Sequence, residues 1–557
     1  MTSKSSPAVA LADEFVTFRL ATEHDWALWA GDLTHLEEWP DLSDAGRRVR
    51  IEGLTNFTQR ASSIDADSPD QRILLETISF TGRSQVVQRQ WEAELEWVNH
   101  TGGIWSLILT FLPLYPLVTG EHGERYLEKL RRLPGFLDSW ADLLARAAGD
   151  GIAPIRHLVT AQIALIDRHL AQPLHSGPLG QVPPPARLPS EQRDRWPQRV
   201  GELVDGAEAS LRRVRSTLAD QTLLVARDDQ EPGLLHLPGG RELYDDLVRA
   251  HTTLDHAAEA IHDIGLEQVA RLEDEYRHIA GPVLGTDQVD QIYQRLREDP
   301  SLHYHDAGAL VADATVALAR AGEAVGDWFG RRPQAACEAL PIEQGALAFY
   351  SRPARDGSKP GRFFFNTADP TMWGTFQLEA TTYHEGIPGH HLQLAIAQEN
   401  PDLHRLLADY YIAAYNEGWG LYTERLADEM GLYSSELDRI GMLAADSMRA
   451  CRLVVDTGLH ALGWGRQQAI DYMLEHSPMT KVQVEGEIDR YIGNPGQALG
   501  YMMGRLEIDR IRSEAEEQLG PRFDIKDFHD TVLSTGSVPI ATLERVVKDW
   551  RASVPDR

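Results

Sequence analysis

Residues 378–400, LEATTYHEGIPGHHLQLAIAQEN, place His384, Glu385, His390 and His391 within eight residues of an otherwise helical pattern. Neutral imidazole nitrogen and carboxylate oxygen are donors that zinc favours, and a catalytic zinc keeps three protein ligands and one open position for water. In the HExxH arrangement two histidines one turn apart on a helix hold the ion, and the glutamate beside the first serves as general base. Here the fourth residue after His384 is Pro388. On an ideal helix His390 is rotated about 600° from His384 and lies on another face, while His391 regains the face only after a rise of about 10 Å. Gly386, Pro388 and Gly389 argue against an ideal helix, because proline removes a backbone hydrogen bond and glycine admits irregular dihedrals. A bulge that absorbs two residues returns His390 to the place of the second histidine, with His391 as its rival. The plainer reading is a set of helix-end histidines satisfied by ordinary hydrogen bonds.

A third ligand has to come from another helix. Glu417, in LLADYYIAAYNEGWGLYTERLADEMG, lies among Tyr411, Ile412, Tyr415, Trp419 and Leu421. A carboxylate in such surroundings is costly to bury unless it is paired or metal-bound, so Glu417 is either a ligand or the partner of an arginine. Glu424 falls two turns on, on the same face, where it can orient a ligand histidine from behind. In MRACRLVVDTGLHALGW, Arg452, Asp456 and His460 repeat every four residues as one polar stripe on an apolar helix. That stripe either presents Arg452 and His460 to a substrate or makes inter-helix salt bridges. Tyr501, after the Pro-Gly turn at 495–496, is a candidate donor to the oxyanion formed when water attacks an amide carbonyl. A structural tyrosine fits the same position.

These residues need a scaffold, and the rest of the chain reads as helices. It has 557 residues, 42% hydrophobic and 25% charged, ordinary values for a globular protein. Helical spacing of Ala, Leu, Arg and Glu dominates, so the expected fold is mainly α. The expected organisation is an N-terminal helical region over 1–172, a Pro-rich linker or loop over 173–197, a second helical region over 198–335, and a site-bearing region over 336–557, or all of these as one continuous helical fold. The clearest β signal is GALAFYSRP and GRFFFNT around ARDGSKP, which predicts a hairpin or two strands of a small sheet. Cys337 and Cys451 are both read as helical; two cysteines build no disulfide framework. With 84 acidic residues against 54 Lys and Arg, the net charge is −30. Such a surface repels nucleic acid and anionic lipid, so neither is an expected partner. The N-terminal residues lack a sustained apolar core with a cleavage site, and the apolar stretch from Ile104 to Val118 is broken by Pro113 and Pro116. The expected location is cytoplasmic.

YHEGIPGHHLQ, NEGWGLYTE, RLVVDTGLHALGW, NPGQALGYMMG and YSRPARDGSKPGRFFFNT, spread over about 345–510, closely resemble the bacterial domain-of-unknown-function 885 family. That family is similar to the helical gluzincin peptidases, among them thimet oligopeptidase, angiotensin-converting enzyme and carboxypeptidase Taq. Those enzymes pair a His-Glu…His helix with a glutamate on a following helix. The resemblance implies a helical shell around a deep cleft, with a short sheet edge near the metal. It implies one zinc ion on His384, His390 and Glu417, with water activated by Glu385 and with Tyr501 and His460 as transition-state stabilisers. GRFFFNT is placed to be the sheet edge that binds substrate backbone by strand addition, with Phe364 and Asn366 as contacts. The expected function is zinc-dependent hydrolysis of peptide or peptide-like amide bonds in short substrates. The alternative is a metal- or peptide-binding protein of the same fold without catalysis.

Overall fold

The structure, a computed structural model, describes residues 6–23, 27, 32–91, 98–100, 102–343, 346–355, 357 and 359–555. Cap residues decide where its helices begin. In α1 (Pro7–Thr22) the Ser6 hydroxyl accepts from Val9 N and proline takes the first helical position. Helix α2 (Asp44–Ser63) starts in the same way on Ser43 and packs against α3 (Pro69–Trp91). Helix α4 (Gly120–Gly149) buries Tyr126, Leu130, Leu133, Leu137, Trp140 and Leu144, a stripe at alternating four- and three-residue steps. Each such large side chain contributes about 1.5–3 kcal/mol on full burial. The Pro-rich stretch lies on this helix: Pro185 meets Gly123, and Trp196 Nε1 donates to Val182 O (2.9 Å). A helix begins within the stretch, at Ser190, and carries Pro197 in its interior.

The chain continues through α5 (Gly240–Thr252), α6 (Ala258–Leu284) and α7 (Ala307–Ala324), then a small sheet of β1 (Cys337–Ile342), β2 (Ala348–Ser351) and β3 (Gly361–Asn366). After the sheet come α8 (Leu378–Glu385), α9 (His390–Glu399), α10 (Ala413–Glu429), α11 (Glu436–Ala461), α12 (Lys481–Gly493) and α13 (Leu499–Leu519). The NPG break falls between α12 and α13, as the sequence predicts. Two long helix–helix contacts, α6 on α11 and α10 on α13, frame the site-bearing helices. The mainly α expectation therefore holds, with a three-stranded sheet as the only β element of more than one strand pair among the described residues.

The predicted hairpin is present: β2 pairs antiparallel with β3, Phe349 opposite Phe364. Asp356 and Ser358 of its connection lie outside the described residues. Two expectations need correction. Cys337 is not helical but opens β1, which pairs parallel with β3. Glu, Ala and Leu in CEALPI suit a helix by propensity, yet pairing with the Phe-rich β3 overrides it, and an edge strand tolerates Pro341. In addition β3 is the central strand of the order β1-β3-β2, so GRFFFNT has no free edge for a substrate. Cys337 and Cys451 are free thiols. No described helix is long and apolar enough to cross a membrane.

Candidate metal centre

The anomaly at Pro388 is resolved by a break rather than a bulge. Helix α8 ends on Glu385, and α9 starts on His390. Gly386 and Gly389 take irregular ψ values of −118° and −130°, neither helical nor extended, and the Ile387–Pro388 peptide between them is cis. Position 389 admits only glycine, since a Cβ there would stand 1.8 Å from His384 O. His391 N donates back to Gly386 O (3.1 Å), and Trp419 Nε1 of α10 donates to Pro388 O (3.1 Å). The four-residue turn brings the His384 and His390 rings together edge to face, centroids 4.8 Å apart at 84°. Helix α10 can approach because residue 420 is glycine: a Cβ at Gly420 would lie 2.6 Å from the His384 ring.

Glu417 of α10 completes the group. Its Oε2 lies 3.4 Å from His384 Nε2 and 3.5 Å from His390 Nε2, and donor atoms of the three residues all fall within 4.8 Å of one another. These separations are long for a charge-assisted hydrogen bond, which runs at about 2.7–2.9 Å. They match a tetrahedral zinc, whose bonds of about 2.0–2.1 Å hold donors about 3.3 Å apart. The donor set of two imidazoles and a carboxylate also suits that ion, so the residues fit zinc.

Their surroundings fix two of the three donors, while His390 Nδ1 is buried without a partner among the described residues. Glu424 Oε1, two turns after Glu417, lies 2.8 Å from His384 Nδ1 and turns Nε2 toward the centre. Tyr411 OH donates to Glu417 Oε1, leaving Oε2 for the two histidines. Burial raises the Glu417 carboxyl, but the His384 and His390 contacts outweigh it and hold the group well below the carboxylate range. Burial lowers the His384 imidazole, but Glu417 and Glu424 reverse this and raise it to about 9. Glu385 is raised, first by burial and then by Glu417, with the neighbouring histidines and Arg449 opposing.

A cavity of about 1770 Å³ opens onto this centre, with His384, Glu385, His390, Glu417, Tyr411 and Tyr501 in its wall. Tyr501 stands under the Arg452 guanidinium, 4.4 Å from its ring centroid. Burial and the Glu417 charge push the Tyr501 hydroxyl up to about 12, so it is a neutral donor. Phe364 lines the cavity and stacks on Phe349 (5.0 Å). The strand edge beside the cavity belongs to β2, since Ala348, Phe349 and Tyr350 line it.

Three expected residues go elsewhere. His391 is tied to the sheet: its Nε2 donates to Ala335 O (3.1 Å) and Nδ1 accepts from Tyr350 OH (3.0 Å). Burial lowers it to about 4, and the residue that the structure brings beside His384 and Glu417 is His390. His460 is buried away from the cavity, Nδ1 accepting from Leu234 N (3.2 Å) and Nε2 donating to Tyr491 O (3.1 Å). Its stripe runs inward along α11, so only the Arg452 end reaches the cavity wall. Asn366 lies outside that wall, at the end of β3, where Oδ1 accepts from Ala368 N (3.0 Å). Sequence reading also missed two participants. Tyr411 was visible only as apolar surroundings of Glu417, and Arg449, 3.7 Å from Glu424, had no distinguishing motif.

No curated protein matches this chain. Among solved structures, it is similar to a chain from Colwellia psychrerythraea provisionally named a lipoprotein, with 26% identity, TM-score 0.90 and coverage of 98% of this chain and 99% of that one. It shares its fold with a second, from Shewanella oneidensis, provisionally named a lipoprotein of unknown function, at 17% identity, TM-score 0.70 and coverage of 98% and 100%. Residues 25–547 match the model of the family described as bacterial protein of unknown function, DUF885, and the chain belongs to that family.

Proposed function

We propose that this protein is a zinc-dependent peptidase acting on short peptides or peptide-like amides. The observation that carries the reading is the buried His384–His390–Glu417 group, with donors at zinc-ligand spacing and open to a large cavity. These residues would hold one zinc ion, which when bound supplies Lewis acidity toward water and the substrate carbonyl. Glu385 takes the proton from the attacking water and returns it to the leaving amine, a task suited to a carboxylate with a raised pKa. Tyr501 offers its neutral hydroxyl to the carbonyl oxygen as negative charge develops. Glu424 and Tyr411 keep His384 and Glu417 oriented. The free edge of β2 offers backbone groups to an extended peptide along the cavity wall.

The helical-gluzincin likeness supports the same reading through its Glu417-type ligand on a following helix. A cytoplasmic site of action belongs to the proposal and is supported by the two free thiols; recovery of the native protein in an envelope fraction would contradict it. The test of function is a mixed peptide library presented to zinc-loaded protein. Wild type is expected to cleave it, whereas Glu385→Gln loses about 10²–10⁴-fold in rate while keeping its zinc. Zinc binding without turnover on any peptide, or full activity in Glu385→Gln, contradicts the assignment.

A further inference from the structure

The cavity wall beyond Tyr501 is strongly basic in a protein of net charge −30. Arg449 and Arg452 of α11 and Arg490 of α12 all line it. Their acidic partners are too few. Glu487 serves both Arg452 Nη2 (2.8 Å) and Arg490 Nη2 (3.1 Å), and also accepts from Tyr491 OH. Arg449 lies 3.7 Å from Glu424, a carboxylate already taken by His384 at 2.8 Å, and its Nη1 donates to Ala445 O (3.3 Å). Three guanidinium groups thus face one dedicated carboxylate. Arg452 is 5% exposed, and its Nη1 is buried without a protein partner, as is Arg449 Nε. A buried cation with an empty donor is costly unless an anion completes it.

We infer that this arginine group binds the free α-carboxylate of the substrate, which makes the protein a peptidase acting at the C-terminal end of its substrate. The inference rests on the hydrolytic reading above and specifies its substrate class. The spacing supports it. Arg452 packs on one face of the Tyr501 ring, and Arg449, 5.9 Å from that ring centroid, reaches Glu424, the carboxylate that holds His384. The anion site thus lies beside Tyr501 in the wall of the same cavity as the metal ligands, which leaves room for a short leaving segment. Guanidinium forks match a carboxylate in two parallel hydrogen bonds, a geometry that an amide cannot reproduce. The reaction adds one water across the scissile C–N bond: its oxygen goes to the carbonyl carbon, and the leaving amine takes a proton. The product is a peptide with a new C-terminal carboxylate plus the released C-terminal segment, without oxidant or co-substrate.

The probes are acetyl-Ala-Phe-Leu and its C-terminal amide. Titration calorimetry on metal-free wild type reads binding without turnover. The free acid is expected to bind about 10- to 100-fold tighter than the amide, the range for hydrogen bonds to a charged group. Arg452→Gln should erase that difference, and Arg490→Gln, the more exposed of the two, should reduce it; circular dichroism checks that both variants fold. Equal affinity of acid and amide for wild type overturns the inference and needs no variant. The same pair on zinc-loaded protein separates the two readings. Acid-selective binding without cleavage keeps the carboxylate site and removes hydrolysis. Equal cleavage of acid and amide keeps hydrolysis and removes the carboxylate site.

Discussion

Two polar constellations on neighbouring helices looked alike in the sequence and behave differently in the fold. His384, His390 and Glu417 come from three helices and converge on one point. Arg452, Asp456 and His460 share one face of one helix and diverge. Arg452 reaches the cavity, Asp456 accepts from Tyr244 OH (2.5 Å) and Gly496 N (3.0 Å), and His460 bridges Leu234 and Tyr491. In the first group the polar atoms face one another at distances too long for hydrogen bonds. In the second, Asp456 and His460 are satisfied by the protein itself. That contrast separates a site from a structural network better than residue type does.

The largest effect that would break the comparison is loss of metal. His390→Ala should abolish stoichiometric zinc in elemental analysis, whereas His391→Ala should keep one zinc per chain; the reverse pattern would exchange their roles. Next is the residue behind the site. Glu424→Gln leaves all three ligands in place but weakens orientation of His384, and zinc affinity should fall about 10- to 100-fold in competition with a chelator. An unchanged affinity would make Glu424 a bystander.

The stripe offers a smaller effect that depends on pH. Burial raises the Asp456 carboxyl to about 7, with the Tyr244 and Gly496 hydrogen bonds only partly opposing. A carboxyl whose folded pKa lies above its unfolded value is fully tolerated below about pH 4. It costs stability progressively as pH rises toward 7, and the cost is then constant. Asp456→Asn keeps an oxygen for both donors, so it should raise the melting temperature at pH 8 and leave it unchanged near pH 4. The difference corresponds to at most about 4 kcal/mol by linkage. A variant less stable at pH 8 would show that the ionised carboxylate is needed there.

The helices, the NPG break and the β2–β3 hairpin were legible because spacing and turn residues act locally. His384, Glu385 and Glu417 were legible for a different reason: a carboxylate amid aromatics and a histidine cluster at a glycine-proline break are expensive unless used. The choice between His390 and His391 was not legible, since it depends on the exact backbone path through Gly386 to Gly389. Nor was the fate of Cys337, His460 or Asn366. Their surroundings are set by β3, by Leu234 and Tyr491, and by a strand end, all contacts that local spacing does not encode. Arg449 gained meaning only when α11 was laid beside Glu424.

The central claim is that one zinc ion is held by His384, His390 and Glu417. Anomalous diffraction at the zinc edge from zinc-soaked crystals tests it most directly. A single strong peak is expected about 2.0–2.2 Å from His384 Nε2, His390 Nε2 and Glu417 Oε2. No peak between these atoms, or a peak coordinated by His391 instead, would contradict it.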